Sequence, residues 1–237
     1  MTVYVCAFGE RYTRMMTALV ASIRYHMPSA TVIAETVDGP VNPGPIPSNH
    51  AKFEKWLEFV RKTPGRIVLL DADMIVNGDL SDVWGDWDAA VTARTSAPMP
   101  YNGGAVYINE TDGARRFMER WWDWELEYMH NRDQYREQYK KYAGPNQTAL
   151  GFLLGEESHD FNLTILPCAE WNACPDDYHN LDRAKVIHYK GRMQKFAFSD
   201  VEMQKVPPEL KKGVRLWRHF DNVATESAVG GQREAVG

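Results

Sequence analysis

Residues Ile67-Val68-Leu69-Leu70 form an unbroken apolar run that ends abruptly in two carboxylates, Asp71 and Asp73, spaced i and i+2. A continuous, β-branch-rich run of this length reads as a strand buried on both faces, as in the middle of an α/β sheet. In such sheets ligands bind outside the carboxyl ends of the strands, and both carboxylates stand at that end. On an extended segment residues i and i+2 project to the same side. Asp71 and Asp73 are therefore expected to hold one hard divalent cation between them, with coordination positions left for a diphosphate. An acidic turn closing the strand is the plainer alternative, and the buried run in front of the pair favours a site.

The flanking pattern supports a parallel sheet. Residues 2–7 read as a first strand. Residues 11–26 then place Met15, Leu19 and Ile23 at helical spacing, and the pattern stops before Pro28. Residues 31–36 read as a second strand, and 39–47, rich in Pro and Gly, as an irregular loop. Asn49 is expected to cap a helix whose apolar face is Phe53, Trp56, Leu57 and Val60. This β-α-β-α-β alternation implies a mostly parallel central sheet with helices on both faces.

Further along, 88–95 and 104–109 read as strands and 112–142 as one long helix with Phe117, Trp121, Trp124 and Tyr128 on a stripe. Residues 146–154 are expected to form a short helix, with late strands at 161–166 and 185–189. From Asn222 onward small and polar residues dominate, so 222–237 reads as a flexible tail behind a single domain over 1–221. The 237 residues suffice for one such domain.

A net charge of −5 argues against a nucleic-acid surface. Cys6, Cys168 and Cys174 have no zinc-type spacing and read as reduced thiols. No segment approaches a membrane-spanning length, and the first residues enter a strand directly. The expected location is cytoplasmic, or at a membrane surface through some other attachment.

Three more constellations follow the carboxylates in order. Tyr101-Asn102-Gly103-Gly104 leads into an apolar strand, where glycine lets a ligand approach the backbone; a tight turn is the alternative. Gly144-Pro145-Asn146-Gln147-Thr148 opens a helix, as capping residues or with Gln147 facing a cleft. Val186-Ile187-His188-Tyr189-Lys190-Gly191-Arg192 puts a histidine at the end of an apolar strand before a basic loop. That histidine is a candidate third metal ligand, or else a structural one. Trp121, Trp122 and Trp124 read as core packing on the long helix. Trp171, in the loop-like stretch 168–178, is the better candidate for stacking on an acceptor.

Together these segments resemble the GT-A-fold glycosyltransferases, and most closely the retaining family (family eight-like) that includes glycogenin and the bacterial lipooligosaccharide galactosyltransferases. Leu69 to Leu80 is similar to that family's metal-binding segment, 101–109 to its Asn-small-Gly strand start, and His188-Tyr189-Lys190-Gly191 to its late His-x-x-Gly element. Asn146-Gln147-Thr148 stands where the family usually has Asp-Gln-Asp. The resemblance implies a GT-A nucleotide-diphospho-sugar transferase fold with a single mostly parallel sheet. It also implies a metal-dependent hexosyltransferase using a nucleotide-diphosphate sugar, a uridine one foremost.

Carried over by position, Asp71, Asp73 and His188 would bind manganese or magnesium. Gly191 and Lys195 would contact phosphate, Tyr12 would lie against the base, and Lys52 is a weaker phosphate or ribose candidate. Gly103 and Gly104 would line the transferred sugar, while Gln147, beside Asn146, would sit near its anomeric carbon. The acceptor implied is a carbohydrate, a lipid-linked glycan or a protein. Asn146 and Thr148 depart from the family's two carboxylates, and Lys195 follows Gly191 by four residues rather than three without the usual Pro-Trp. Two rivals remain at this stage. One is a non-catalytic sugar-nucleotide or glycan-binding module. The other is a sugar nucleotidyltransferase, disfavoured by the poor phosphate loop at Ala7-Phe8-Gly9-Glu10-Arg11.

Overall fold

A computed structural model describes residues 1–37, 45–95, 100–136 and 144–234. The chain alternates as expected through β1 (Thr2–Phe8), α1 (Gly9–His26), β2 (Thr31–Val37), α2 (Pro45–Lys62) and β3 (Ile67–Asp71). β4 (Met74–Val76), β5 (Ala89–Ala93), β6 (Tyr101–Ile108), α3 (Asp112–His130), α4 (Arg132–Arg136) and α5 (Pro145–Leu153) follow. β7 (Leu163–Pro167), α6 (Cys168–Trp171), β8 (Val186–His188), α7 (Gly191–Ala197) and α8 (Lys211–Glu234) complete the chain.

Six strands form the central sheet in the order β2-β1-β3-β6-β5-β7. β1 lies parallel to β2 and β3, and β5 parallel to β7, while β6 runs antiparallel to both of its neighbours. The sheet is thus mainly parallel, as the alternation implied. The late apolar run lies outside it: β8 pairs antiparallel with β4 in a separate two-stranded ribbon. Three-residue strands carry too little pattern to say which sheet they join.

The two faces of the sheet follow from side-chain alternation. Val3, Val5, Val68, Leu70, Ala105 and Tyr107 share a core cluster with Met16, Leu19 and Ile23 of α1. Tyr4, Cys6, Ile67, Leu69, Val106 and Ile108 pack instead with Phe53 and Trp56 of α2, Phe117 and Trp121 of α3, and Leu150 of α5. A third cluster seals the ribbon against α1, α7 and α8 through Ile75, Ile187, Met193 and Trp217. Arg14 clamps α1 to α8 with both carboxylate oxygens of Asp221, at 3.0 and 2.6 Å.

Several element boundaries differ from the sequence reading. α2 starts at Pro45, so Asn49 lies inside the helix and does not cap it; residues 39–44 of the expected 39–47 loop lie outside the described residues. The expected long helix stops at Asn131, whose backbone N–H closes on Glu127 O and whose amide donates to Glu127 Oε1. Residues 137–142 of that expected helix lie outside the described residues. Helix α8 continues past Asn222 to Glu234, where a frayed tail was expected. Among the described residues no helix is long and apolar enough to cross a membrane.

Candidate metal centre

Alternation along β3 decides which way its last residue faces. Ile67 and Leu69 point to the α2 side, so Asp71 emerges on that side too. There the buried Lys52 of α2 pairs with Asp71 Oδ1, its ammonium also lying 4.4 Å from the centre of the Trp56 ring. The chain then turns over Ala72-Asp73 before β4 begins. Because Met74 is the register partner of His188, the ribbon returns the imidazole over that turn. His188 Nε2 lies 3.1 Å from Asp73 Oδ1 and 3.5 Å from Asp71 Oδ2. A turn plus a paired ribbon brings the carboxylates together, rather than the extended i, i+2 geometry expected from sequence.

Neighbouring backbone leaves this corner just enough room. A Cβ on Gly104 would fall 2.6 Å from His188 Cε1 and 2.9 Å from Asp71 Oδ2, so only glycine lets β6 pass here. Gly103 faces the other way, where a Cβ would strike the Trp121 ring at 2.9 Å. Of the two glycines, only Gly104 borders the carboxylates.

Charge follows from this packing. Burial opposes ionisation of Asp73, but His188, with Lys190 and Lys52 behind it, outweighs burial and lowers its pKa. Burial and Lys190 oppose protonation of His188, yet the adjacent Asp73 carboxylate raises its pKa. The ligand atoms of Asp71, Asp73 and His188 all lie within 4.8 Å of one another. Two carboxylate oxygens and an imidazole nitrogen converging this closely fit a hard divalent cation such as Mn²⁺ or Mg²⁺.

The other candidates fall into two groups. Tyr12, 42% exposed on the first turn of α1, has its phenol pKa raised by partial burial and then by Asp73 and Asp71, which places it toward the carboxylates. Arg11 donates to Gln194 Oε1 at 2.9 Å, joining the start of α1 to α7, where Gly191 (φ +56) opens the helix and Lys195 is exposed. At the far side, Gln147 Nε2 donates to Tyr101 O at 2.8 Å and so abuts the start of β6. Asn146 and Thr148 are buried. The Asn146 carbonyl accepts from Trp121 Nε1 at 2.7 Å, and Thr148 Oγ1 donates to Gly144 O at 2.9 Å.

Trp171 is no stacking platform: it is 6% exposed in α6, edge-on to Tyr107 and under the Lys185 ammonium. Sequence reasoning missed Thr92 and Asn172, both fully buried. Asn172 Oδ1 lies 2.9 Å from His188 Nδ1. Only burial of a polar side chain, invisible in one sequence, marks them.

No family model and no curated protein matches the sequence. Among solved structures, the chain is similar to the galactosyltransferase LgtC in complex with donor and acceptor sugar analogues. The identity is 13%, with 94% of this chain and 96% of that one covered at a TM-score of 0.57. It is similar to a glycosyltransferase involved in glycosylation of the major capsid of PBCV-1, at 14% identity, 81% and 96% coverage and a TM-score of 0.54. The glycosyltransferase GlyE of Streptococcus pneumoniae TIGR4 matches at 15% identity and a TM-score of 0.53, over 96% of this chain and 64% of that one. Another LgtC structure, 14% identical, is of an active-site mutant with glutamine replaced by glutamate. The chain has the GT-A glycosyltransferase fold.

Proposed function

We propose that the protein is a metal-dependent glycosyltransferase that moves a hexose from a nucleotide-diphosphate sugar, a UDP-sugar foremost, to a carbohydrate, lipid-linked or protein acceptor. The observation that carries this reading is the convergence of Asp71, Asp73 and His188 at the sheet's carboxyl end, beside a glycine that no other residue can replace. Asp71, Asp73 and His188 would hold Mn²⁺ or Mg²⁺, which when bound supplies Lewis-acid neutralisation of a diphosphate leaving group.

The surrounding residues have matching tasks. Lys52, tied to Asp71, keeps a cation at the donor side, and Lys190, Gly191 and Lys195 would contact phosphate oxygens. Tyr12 offers a half-exposed ring for the base. Gly104, which lets β6 pass close to the carboxylates, would border the transferred sugar, with Gln147 near its anomeric carbon. The LgtC mutant supports that last assignment, since its altered active-site residue is also a glutamine. A retaining outcome follows from the resemblance alone.

The test is donor hydrolysis and transfer by wild type and Asp73→Asn with Mn²⁺ present. Metal-dependent turnover lost in the variant supports the reading; full turnover in the variant contradicts it. A second reading, a non-catalytic sugar-nucleotide-binding module, is favoured by one observation. Asn146 and Thr148 replace carboxylates, both are buried, and the Thr148 hydroxyl is spent on Gly144 O. Tight donor binding without turnover on any acceptor would establish it.

A further inference from the structure

Behind His188 runs a chain of buried polar groups whose hydrogen-bond direction can be worked out from one end. Thr92 Oγ1 lies 2.9 Å from the carbonyl oxygen of Asn102, which can only accept, so the single hydroxyl proton of Thr92 points there. Thr92 Oγ1 must then accept from its other partner, Asn172 Nδ2, at 2.9 Å. That orientation turns Asn172 Oδ1 toward His188 Nδ1, also at 2.9 Å, and a carbonyl oxygen can only accept. The Nδ1 position therefore carries the proton. The Cys174 sulfur accepts from Asn102 Nδ2 at 3.0 Å and, with its proton on Asn172 O at 3.1 Å, can only accept from the His188 ring that it also meets, so it does not reverse this order.

With Nδ1 protonated, neutral His188 presents the Nε2 lone pair to Asp71 and Asp73. Three electron-rich groups then converge on one point, which a cation, or a proton on Nε2, relieves. The register makes this possible. Between Val91 and Thr92 the β5-β6 pairing shifts, so Val91 faces Val106 but Thr92 faces Asn102. That irregularity brings the Thr92 hydroxyl onto the Asn102 carbonyl, and the Asn102 side chain holds the Gly104 N–H at 3.0 Å.

We propose that Thr92 and Asn172 are positioning residues that lock His188 in the Nδ1–H tautomer and so commit Nε2 to the metal. The assignment rests on the metal-centre reading above but is testable apart from it. In ¹⁵N-histidine-labelled, metal-free protein at a pH where the ring is neutral, two-bond ¹H–¹⁵N correlations identify the protonated nitrogen, with His188→Asn assigning the signal. Wild type and Thr92→Ser should both show Nδ1–H. Thr92→Val and Asn172→Leu should show the Nε2–H form or a mixture, and should bind Mn²⁺, read by electron paramagnetic resonance, about tenfold or more weakly. Thr92→Ser should bind within about twofold of wild type. A wild-type ring in the Nε2–H form, or a folded Thr92→Val protein with unchanged tautomer and Mn²⁺ affinity, would overturn the proposal. Should Thr92→Val not fold, the wild-type tautomer still decides. A wild-type protein with Nδ1–H but no Mn²⁺ binding would sink the proposed function and leave the tautomer lock standing.

Discussion

The carboxylate corner and the α5 corner both border β6, the first at Gly104 and the second at Tyr101, and they are built by opposite rules. At the first, His188 and its buried polar partners are each committed to a named hydrogen bond, yet Nε2 and the carboxylates still face a common point. At the second, Asn146 and Thr148 have turned inward: one caps Trp121 through its backbone, the other bonds back to Gly144, and only Gln147 meets the start of β6. The first corner is organised around something it must hold, the second around the core. The difference assigns the proposed donor and metal chemistry to the first corner and leaves any divergence in specificity to the α5 side.

Substitutions can break or sharpen that contrast. The largest effect is expected from Asp73→Asn. Loss of several kcal/mol of charge stabilisation corresponds to roughly a thousandfold drop in transfer, checked by turnover assays with Mn²⁺, and chelation of wild type should act alike. Trp121→Ala should cost about 3–5 kcal/mol in urea unfolding, because a fully buried ring and its bond to the Asn146 carbonyl vanish together. If the α5 corner is held by the core, that variant should lose transfer at temperatures where Asp73→Asn remains folded. Gln147→Ala should lower transfer by roughly ten- to a hundredfold while Mn²⁺ and nucleotide affinity, read by calorimetry, stay near wild type. A matching loss of affinity would erase the distinction between the two corners.

The smallest effect is a pH dependence outside both corners. His50 of α2 bonds Glu125 of α3 at 2.9 Å, and that partner raises its pKa above the ordinary 6.5 despite opposing burial. A raised histidine pKa stabilises the fold fully below the unfolded value and loses that contribution as pH rises through the folded value. Wild type should therefore lose about 1 kcal/mol relative to Glu125→Gln between roughly pH 6 and 8. Parallel stability curves for the two proteins would show that the pair contributes nothing.

How much of this was legible in the sequence varies with how local the cause is. The 67–70 run declared its strand in the sheet, because burial and alternation act within a few residues, whereas the carboxylates meet through a turn and the β4–β8 ribbon that the run does not show. Lys52 is only a weak candidate from sequence, since its pairing depends on Asp71 emerging on the α2 face. The β4–β8 pairing and the role of Trp171 depend on which elements pack together, and periodicity carries no such information. Thr92 and Asn172 lie 80 residues apart and meet only because β5 lies parallel to β7, whose end leads through α6 to Asn172. Nothing in either local sequence marks them. The helical course of α8 beyond Asn222 ran against composition, its start being anchored by Val214, Trp217 and Phe220 in the core.

The most direct measurement is calorimetric titration of UDP, GDP and CDP into the purified protein, with and without Mn²⁺, alongside Asp73→Asn. Binding of one nucleotide that requires Mn²⁺ and disappears in the variant is the predicted result. Nucleotide binding indifferent to both the metal and Asp73, or none at all, would contradict the assignment of this corner as a metal-dependent donor site.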